Sequence, residues 1–423
     1  MQPTLNDCFA AHHQLMPAED ALAQLRKHVR VSAGTEDCEL SSAKGRILAE
    51  DLISPSAIPP FNNAAVDGYA FDANALKNNQ DTTLPISAYI TAGDPLPASL
   101  LAGTAVRIFT GAPLPEGANT VIMQEDVETP AGDNTNVVTI PSGLKTGTNW
   151  RPAGEDMQAG QCVLPKGHRL RPQDIGCAAA MGHASLRVYK TLKVAIFSTG
   201  NEIQNPGTAL CEGGIYDVNR FMLATQVRQT GATVTDLGIL PDDLESTVDA
   251  LSLAATTHDI ILTSGGVSTG DKDHISTAIE QLGEISFWRL AIKPGRPLAF
   301  GNIQGCPLIG FPGNPVATGV CFMRFGFPLV CALAGQTWPE PIQLTLPAAF
   351  SLNKKPGRTE WLRAKLKTDH NGQTLVDRHA KQGSGILTSL VEADGLIELG
   401  ESVEHIETGD PVLFLPFSQF NVA

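Results

Sequence analysis

Residues 263–273, Thr-Ser-Gly-Gly-Val-Ser-Thr-Gly-Asp-Lys-Asp, concentrate more chemistry than any other stretch of the chain. Gly265 and Gly266 remove side chains so that backbone N–H groups can approach an anion, and Ser264, Ser268 and Thr269 add hydroxyl donors. That composition describes a phosphate cradle, although a lone glycine-rich loop is equally a tight strand-to-helix turn. Asp273 can cap the helix that begins beside it, whose positive end favours a bound phosphate. The segment fits neither GxGxxG nor the P-loop pattern ending in Gly-Lys-Ser/Thr, so dinucleotide and ordinary NTP binding are not indicated. Five carboxylates, Glu202, Asp242, Asp243, Asp271 and Asp273, fall in this loop and in its neighbours in the fold. Like charges gathered near phosphate call for Mg²⁺, which takes oxygen ligands and keeps several waters. Each carboxylate taken singly also reads as a helix cap or a solvated turn. Lys293 and Arg296, held apart by Pro294 and Gly295, supply the opposite charge, unless they form only a basic surface turn. No histidine pair has zinc spacing, and no nucleophile stands next to a base.

The order of elements is what gathers these residues. In an open parallel sheet, ligands bind outside the carboxyl ends of the strands. The loops 198–202, 241–243, 263–273, 293–297 and 311–315 all follow apolar runs of strand length. Strand VAIF (194–197), a helix over 219–229, VTDLGIL, a helix over 244–255, DIILT and a helix over 274–282 alternate with short connections. WRLAI, PLAFG, PLIGF and a last helix over 315–334 complete the pattern. It predicts an α/β domain over 189–335, with a parallel sheet covered on both faces.

The flanking regions read differently. A helix is predicted over 12–30, with Pro17 in its first turn and Leu22, Leu25 and Val29 on one face. Residues 51–148 are short apolar runs cut by Gly, Pro and Asn, which indicates a β-rich domain. The stretch 149–188 returns toward the N-terminal helix. The N-terminal region 1–188 is therefore expected to be discontinuous, with helical linker parts 1–50 and 149–188 around an inserted β domain. Residues 336–423 read as a small β-barrel or sandwich, with a hairpin at Asn371-Gly372. The fold class is multidomain α/β.

Composition narrows the partners. A chain of 423 residues with 42% hydrophobic and 17% charged residues is globular rather than disordered. A formal charge of -14 is the wrong sign for holding nucleic acid by its phosphates. No apolar run reaches the roughly 18 residues that a membrane-spanning helix requires. The first residues, MQPTLNDCFAAHHQLMPAED, lack the basic and apolar regions of a secretory signal, so no membrane association and a cytoplasmic location are expected. Eight scattered cysteines with no CxxC pair read as reduced thiols.

Two N-terminal segments, PPFNNAAVDGYAF (59–71) and NWRPAGEDMQAG (149–160), carry more specification than a fold requires. They suit binding across an interface, or they are a turn and a salt bridge among Arg151, Glu155 and Asp156. With RIFTGAPLPEGANTVIMQED, YDVNRFML, TSGGVSTGDKDHI, IKPGRPLAFG and GFPGNPVA, they make the chain resemble the molybdopterin molybdenumtransferase family, of the MoeA and gephyrin E-domain type, over nearly its whole length.

The resemblance implies a molybdopterin-binding fold for the central domain. It implies insertion of molybdate into adenylylated molybdopterin, with Mg-dependent hydrolysis and release of AMP. By resemblance, Glu202, Asp242 and Asp273 would hold Mg²⁺, and Ser264, Gly265, Gly266 and Ser268 would bind the substrate's phosphates. Molybdate would be held by Lys293, Arg296, Pro312 and Pro315, with Arg363 and Ser384 from the C-terminal domain. Asp67, Thr110, Arg151 and Asp156 would complete the site from the second subunit of a homodimer. Asn62, Ala64, Val66, Arg289 and Arg296 depart from the family's frequent residues, and Arg for Lys replaces a point charge by a planar fork. Exchange with a molybdopterin adenylyltransferase and with acceptor molybdoenzymes is implied as well. The rival readings are a molybdopterin-binding scaffold without turnover and a molybdopterin adenylyltransferase.

Overall fold

The computed structural model describes residues 15–128, 136–240, 243–265 and 274–420. At its centre is a six-stranded sheet in the order Thr233–Ile239, Lys193–Ser198, Ile260–Ser264, Cys306–Phe311, Pro297–Ile303, Gly283–Arg289. The first four strands are parallel, Pro297–Ile303 runs against them, and Gly283–Arg289 pairs antiparallel with Pro297–Ile303 and so shares their direction. The sheet is therefore mixed rather than wholly parallel, and the reason is local. Gln304 and Gly305 both take positive φ between Ile303 and Cys306, a two-residue turn that only an antiparallel hairpin accommodates. Side chains alternate across the sheet. Val194, Ile196, Ile260 and Leu262 join one core, and Ala195, Phe197 and Ile261 join another. Helices Asn219–Gln229 and Pro315–Leu333 cover the first face, and Leu244–Thr257 and His274–Leu282 cover the second.

The Pro315–Leu333 segment is helical throughout, with a π turn over Phe322–Gly326. Pro328 lacks the N–H that would bond back to Arg324, and the wider turn absorbs its ring. With 19 residues and a mean hydropathy of 1.8 over an 18-residue window, this helix meets the length and composition of a membrane span, contrary to the sequence reading, but that window is entirely buried inside the protein. The N-terminal helix is Ala18–His28, shorter than predicted. Met16 is extended and bridges Leu290, so the helix cannot begin before Pro17, which caps it rather than entering its first turn. His12 and His13 lie outside the described residues.

The chain leaves for the β-rich region and returns. Thr35–Glu39 pairs Ser185–Tyr189, and Leu52–Ile53 pairs Cys162–Leu164. Between them stands a five-stranded sheet ordered Thr120–Met123, Gly68–Phe71, Ala105–Ile108, Thr82–Ile90, Val137–Ile140. The segments expected to be a helical linker are thus joined mainly by short antiparallel strands. Toward the C-terminus, Thr359–Thr368, Gly395–Leu399, Pro411–Pro416 and Leu344–Pro347 follow one another across a sheet. Thr374–Arg378 flanks Thr359–Thr368, and the bridge from Ala348 to Val376 closes the ring into a barrel. Phe350, Leu362, Ile397 and Phe414 form its core. The turn between Thr368 and Thr374 has Gly372 at φ +82°, as the Asn371-Gly372 signal predicts.

Candidate functional site

Four polar groups at the carboxyl edge of the parallel strands have no partner among the described residues. Ser198 Oγ, Thr199 Oγ1, Thr263 Oγ1 and Asn219 Oδ1 are buried and make no hydrogen bond among the described residues. Ser198 and Ser264 lie in register on adjacent strands, which brings two of the predicted loops side by side. At Gly265, φ is +83° and a Cβ would stand 2.8 Å from Thr199 O, so only glycine fits. Its own N–H donates to Phe311 O at 3.3 Å and is not free for an anion. At Gly200 a Cβ would lie 2.7 Å from the Glu202 carboxylate, which places that exposed carboxylate directly over the backbone of the first loop. Asp243 caps the Leu244–Thr257 helix by accepting from Ser246 N at 2.9 Å, the plain reading of that carboxylate. Asp242, Gly266, Ser268, Thr269, Asp271 and Asp273 lie outside the described residues.

A basic corner adjoins this edge. Ile292–Lys293 leaves the central domain to pair in parallel with Thr359–Glu360 of the barrel. Lys293 Nζ stands 3.2 Å from Glu360 Oε2, and Arg358 holds the other carboxylate oxygen at 2.8 Å. Arg296 is exposed and has no side-chain partner among the described residues. The turn between them presses against the last helix. A Cβ on Gly295 would meet Cys321 Sγ at 2.4 Å and Pro312 Cγ at 3.5 Å. Val316 N then donates to Ser384 O at 3.0 Å, which ties the 312–316 turn to the barrel.

Arg363 completes the corner. It is 1% exposed, donates from Nε to Ser389 Oγ at 3.0 Å and from a terminal nitrogen to Gly383 O at 3.2 Å. Burial brings its pKa down to about 10. It has no carboxylate partner among the described residues, so its charge is uncompensated. Lys293, Arg296, Pro312, Pro315, Arg363 and Ser384 are thus drawn to one place by backbone pairing and packing.

The N-terminal candidates form a separate cluster. Asp67 Oδ1 accepts from Thr110 N and Thr110 Oγ1, each at 2.8 Å. These two hydrogen bonds, and next the charge of Arg107, hold its carboxyl below the usual range despite partial desolvation. Arg107 is fixed in turn between the Tyr69 and Phe109 rings, at 4.9 and 4.7 Å. The two motif segments meet where Asn63 pairs Arg151 and Asn62 Oδ1 accepts from Ala153 N at 2.8 Å. Arg151 and Asp156 are exposed, and the salt bridge that was one reading of this segment is not formed among the described residues. No hydrogen bond, ion pair or strand pairing among the described residues links this cluster to the central edge.

Sequence reasoning missed Asn219 and the network beside it. Arg220, 4% exposed, donates from Nε to Asp217 at 2.8 Å and also binds Asp236 and Asn205. Burial disfavours its charge, but the two aspartates outweigh this and raise its pKa. The Asp217-to-Arg220 spacing at a helix start was the available signal. A cleft of about 700 Å³ lined by Leu22, Arg26, Arg324, Phe327 and Trp338 contains none of the candidate residues.

Comparison with known proteins agrees along the chain. Residues 16–182 match the MoeA N-terminal region (domain I and II), 195–331 a probable molybdopterin binding domain, and 345–417 the MoeA C-terminal region (domain IV). The chain is 36% identical over 405 residues to the molybdopterin molybdenumtransferase of Haemophilus influenzae, spanning 96% of this chain and 99% of that one. It is 35% identical over 379 residues to molybdopterin molybdenumtransferase 2 of Mycobacterium tuberculosis, spanning 88% and 92%. The crystal structure of the molybdopterin biosynthesis MoeA protein of Pyrococcus horikoshii OT3 matches with a TM-score of 0.81 at 30% identity, over 95% of this chain and 100% of that one.

Proposed function

The chain belongs to the MoeA family, the molybdopterin molybdenumtransferases, and from that premise we propose that it inserts molybdate into adenylylated molybdopterin and releases AMP. The observation that carries this reading is the basic corner beside the orphaned hydroxyls. Molybdate is a small dianion that charge-assisted donors recognise. Lys293 and Arg296 offer a point charge and a planar fork, and Arg363 adds a buried charge with no carboxylate partner among the described residues. The pterin phosphate would lie across the Ser264–Gly265 edge, where Ser198, Thr199 and Thr263 have hydroxyls to donate. Holding both substrates at adjoining loops converts their encounter into a reaction within one complex.

Mg²⁺ belongs to the same proposal. Glu202 is exposed at this edge with no ion pair among the described residues, and Asp242 and Asp273 would add the oxygen donors that suit a hard cation. When bound, the ion would neutralise and polarise the pyrophosphate.

A homodimer is proposed because no bond among the described residues joins Asp67, Thr110, Arg151 and Asp156 to the anion corner. Exposed Leu210, Ile215, Tyr216 and Phe221 beside the central edge offer apolar surface for a second copy. A cytoplasmic location, supply of substrate by an adenylyltransferase and delivery to acceptor molybdoenzymes complete the proposal. A single-domain adenylyltransferase is not supported, since the family matches run from residue 16 to 417. Molybdate-dependent release of AMP by the purified chain tests the reading.

A further inference from the structure

Asn219 is nine-tenths buried at the start of the Asn219–Gln229 helix, between the two halves of the proposed site. Its Nδ2 donates to Ser264 Oγ at 2.7 Å and to Gly313 O at 2.7 Å. Because Gly313 O can only accept, the amide's nitrogen end is fixed, and both of its protons are committed to different loops. Ser264 Oγ, having accepted from Asn219, donates toward Pro312 O at 3.4 Å. One planar amide therefore closes a ring from the loop after Ile260–Ser264 to the turn before Pro315–Leu333. Asn219 Oδ1 is left buried without a partner among the described residues, as are Ser198 Oγ, Thr199 Oγ1 and Thr263 Oγ1. A buried acceptor in this state carries a desolvation penalty that a donor on a bound ligand removes.

We propose that Asn219 is a positioning residue that couples the two substrate subsites. Seating the pterin phosphate on the Ser264–Gly265 edge fixes the Asn219 amide, and the amide fixes the Pro312–Gly313 turn at the molybdate corner. The amide is rigid and its two N–H directions are set by one plane, so neither loop can shift without disturbing the other's hydrogen bond. By linkage, each substrate tightens the binding of the other by the same factor. This inference rests on the function proposed above, and the test separates the two.

Molybdate is titrated into the full-length protein in EDTA, so that nothing turns over, with and without saturating adenylylated molybdopterin. The pterin is titrated likewise with and without molybdate. In the wild type each ligand should tighten the other about fivefold or more, the lower end of ordinary coupling. In Asn219→Asp, which keeps the shape but sets a carboxylate oxygen against Gly313 O, the factor should fall to within about twofold of none, while each ligand alone still binds. A merely structural role would lower both affinities and leave their ratio untouched. Asn219→Ala, which removes both hydrogen bonds and leaves every proposed substrate-binding side chain in place, gives the same readout should Asn219→Asp fail to fold. Undiminished coupling in these variants, or none in a wild type that binds both ligands, overturns the role of Asn219 and leaves the proposed function standing. A wild type that binds neither ligand overturns the proposed function itself.

Discussion

Gly295 lies so close to Cys321 that a Cβ on the glycine would stand 2.4 Å from the sulfur. The contact seats the Lys293–Arg296 turn on the helix that follows the Pro312–Pro315 loop. At φ +95° any side chain is strained there as well. Gly295→Ala should therefore cost about 1–3 kcal/mol in urea unfolding and raise the molybdate requirement. Adding Cys321→Ala should recover part of the loss, since the sulfur is then gone. Equal stability of Gly295→Ala and the wild type would show that the turn is not seated this way.

Lys293→Ala and Arg296→Ala each remove a cation from the corner. Losing a charge-assisted contact of roughly 1.5–3 kcal/mol should weaken molybdate binding about tenfold to a hundredfold. Affinity for adenylylated molybdopterin should barely change. Glu360 keeps Arg358 when Lys293 is removed, so the fold should survive. A collapse of pterin affinity with an unchanged molybdate requirement would assign these cations to the phosphate.

The depressed pKa of Asp67 has a definite pH signature. Its ionised form is favoured in the folded state, so its contribution to stability is complete above the unfolded value near 3.9 and is lost as pH falls through the lower folded value. Thr110→Val removes the hydroxyl donor but keeps the backbone donor. NMR titration should show the Asp67 carboxyl moving part of the way back up in that variant. An unmoved titration would mean that the hydroxyl contributes nothing to the site.

A composite site makes a prediction that a site built in one chain does not. Asp67→Asn and Lys293→Ala should each be poorly active alone. Mixed under conditions that exchange subunits, they should regain activity, because a heterodimer contains one site with both residues intact. Light scattering should show dimers at micromolar concentration. No recovery in demonstrated heterodimers would place both clusters in one chain's site.

Much of this arrangement was legible because glycine and proline punctuate the chain at the loops that matter. The Asn219–Gln229 and His274–Leu282 helices fall where the spacing puts them. The hairpin at Gln304-Gly305 was harder to read, because neither PLAFG nor PLIGF reveals its direction until the turn's positive φ values are known. The π turn depends on where Pro328 falls in a helix that apolar residues alone would leave continuous. Arg363 illustrates the limit most sharply. Strand alternation places it on one face of Thr359–Thr368, but its burial without a carboxylate arises from barrel packing. Asn219 read as an ordinary helix start because both of its bonds join loops distant in sequence.

Molybdate insertion is put to the test by incubating the purified chain with adenylylated molybdopterin and Mg²⁺, and measuring AMP release with and without molybdate. AMP release should require molybdate and be accompanied by molybdenum bound to the pterin, with Arg363→Lys and Lys293→Ala both reducing it. AMP release independent of molybdate, or none from a protein shown to bind the adenylylated pterin, would contradict molybdate insertion.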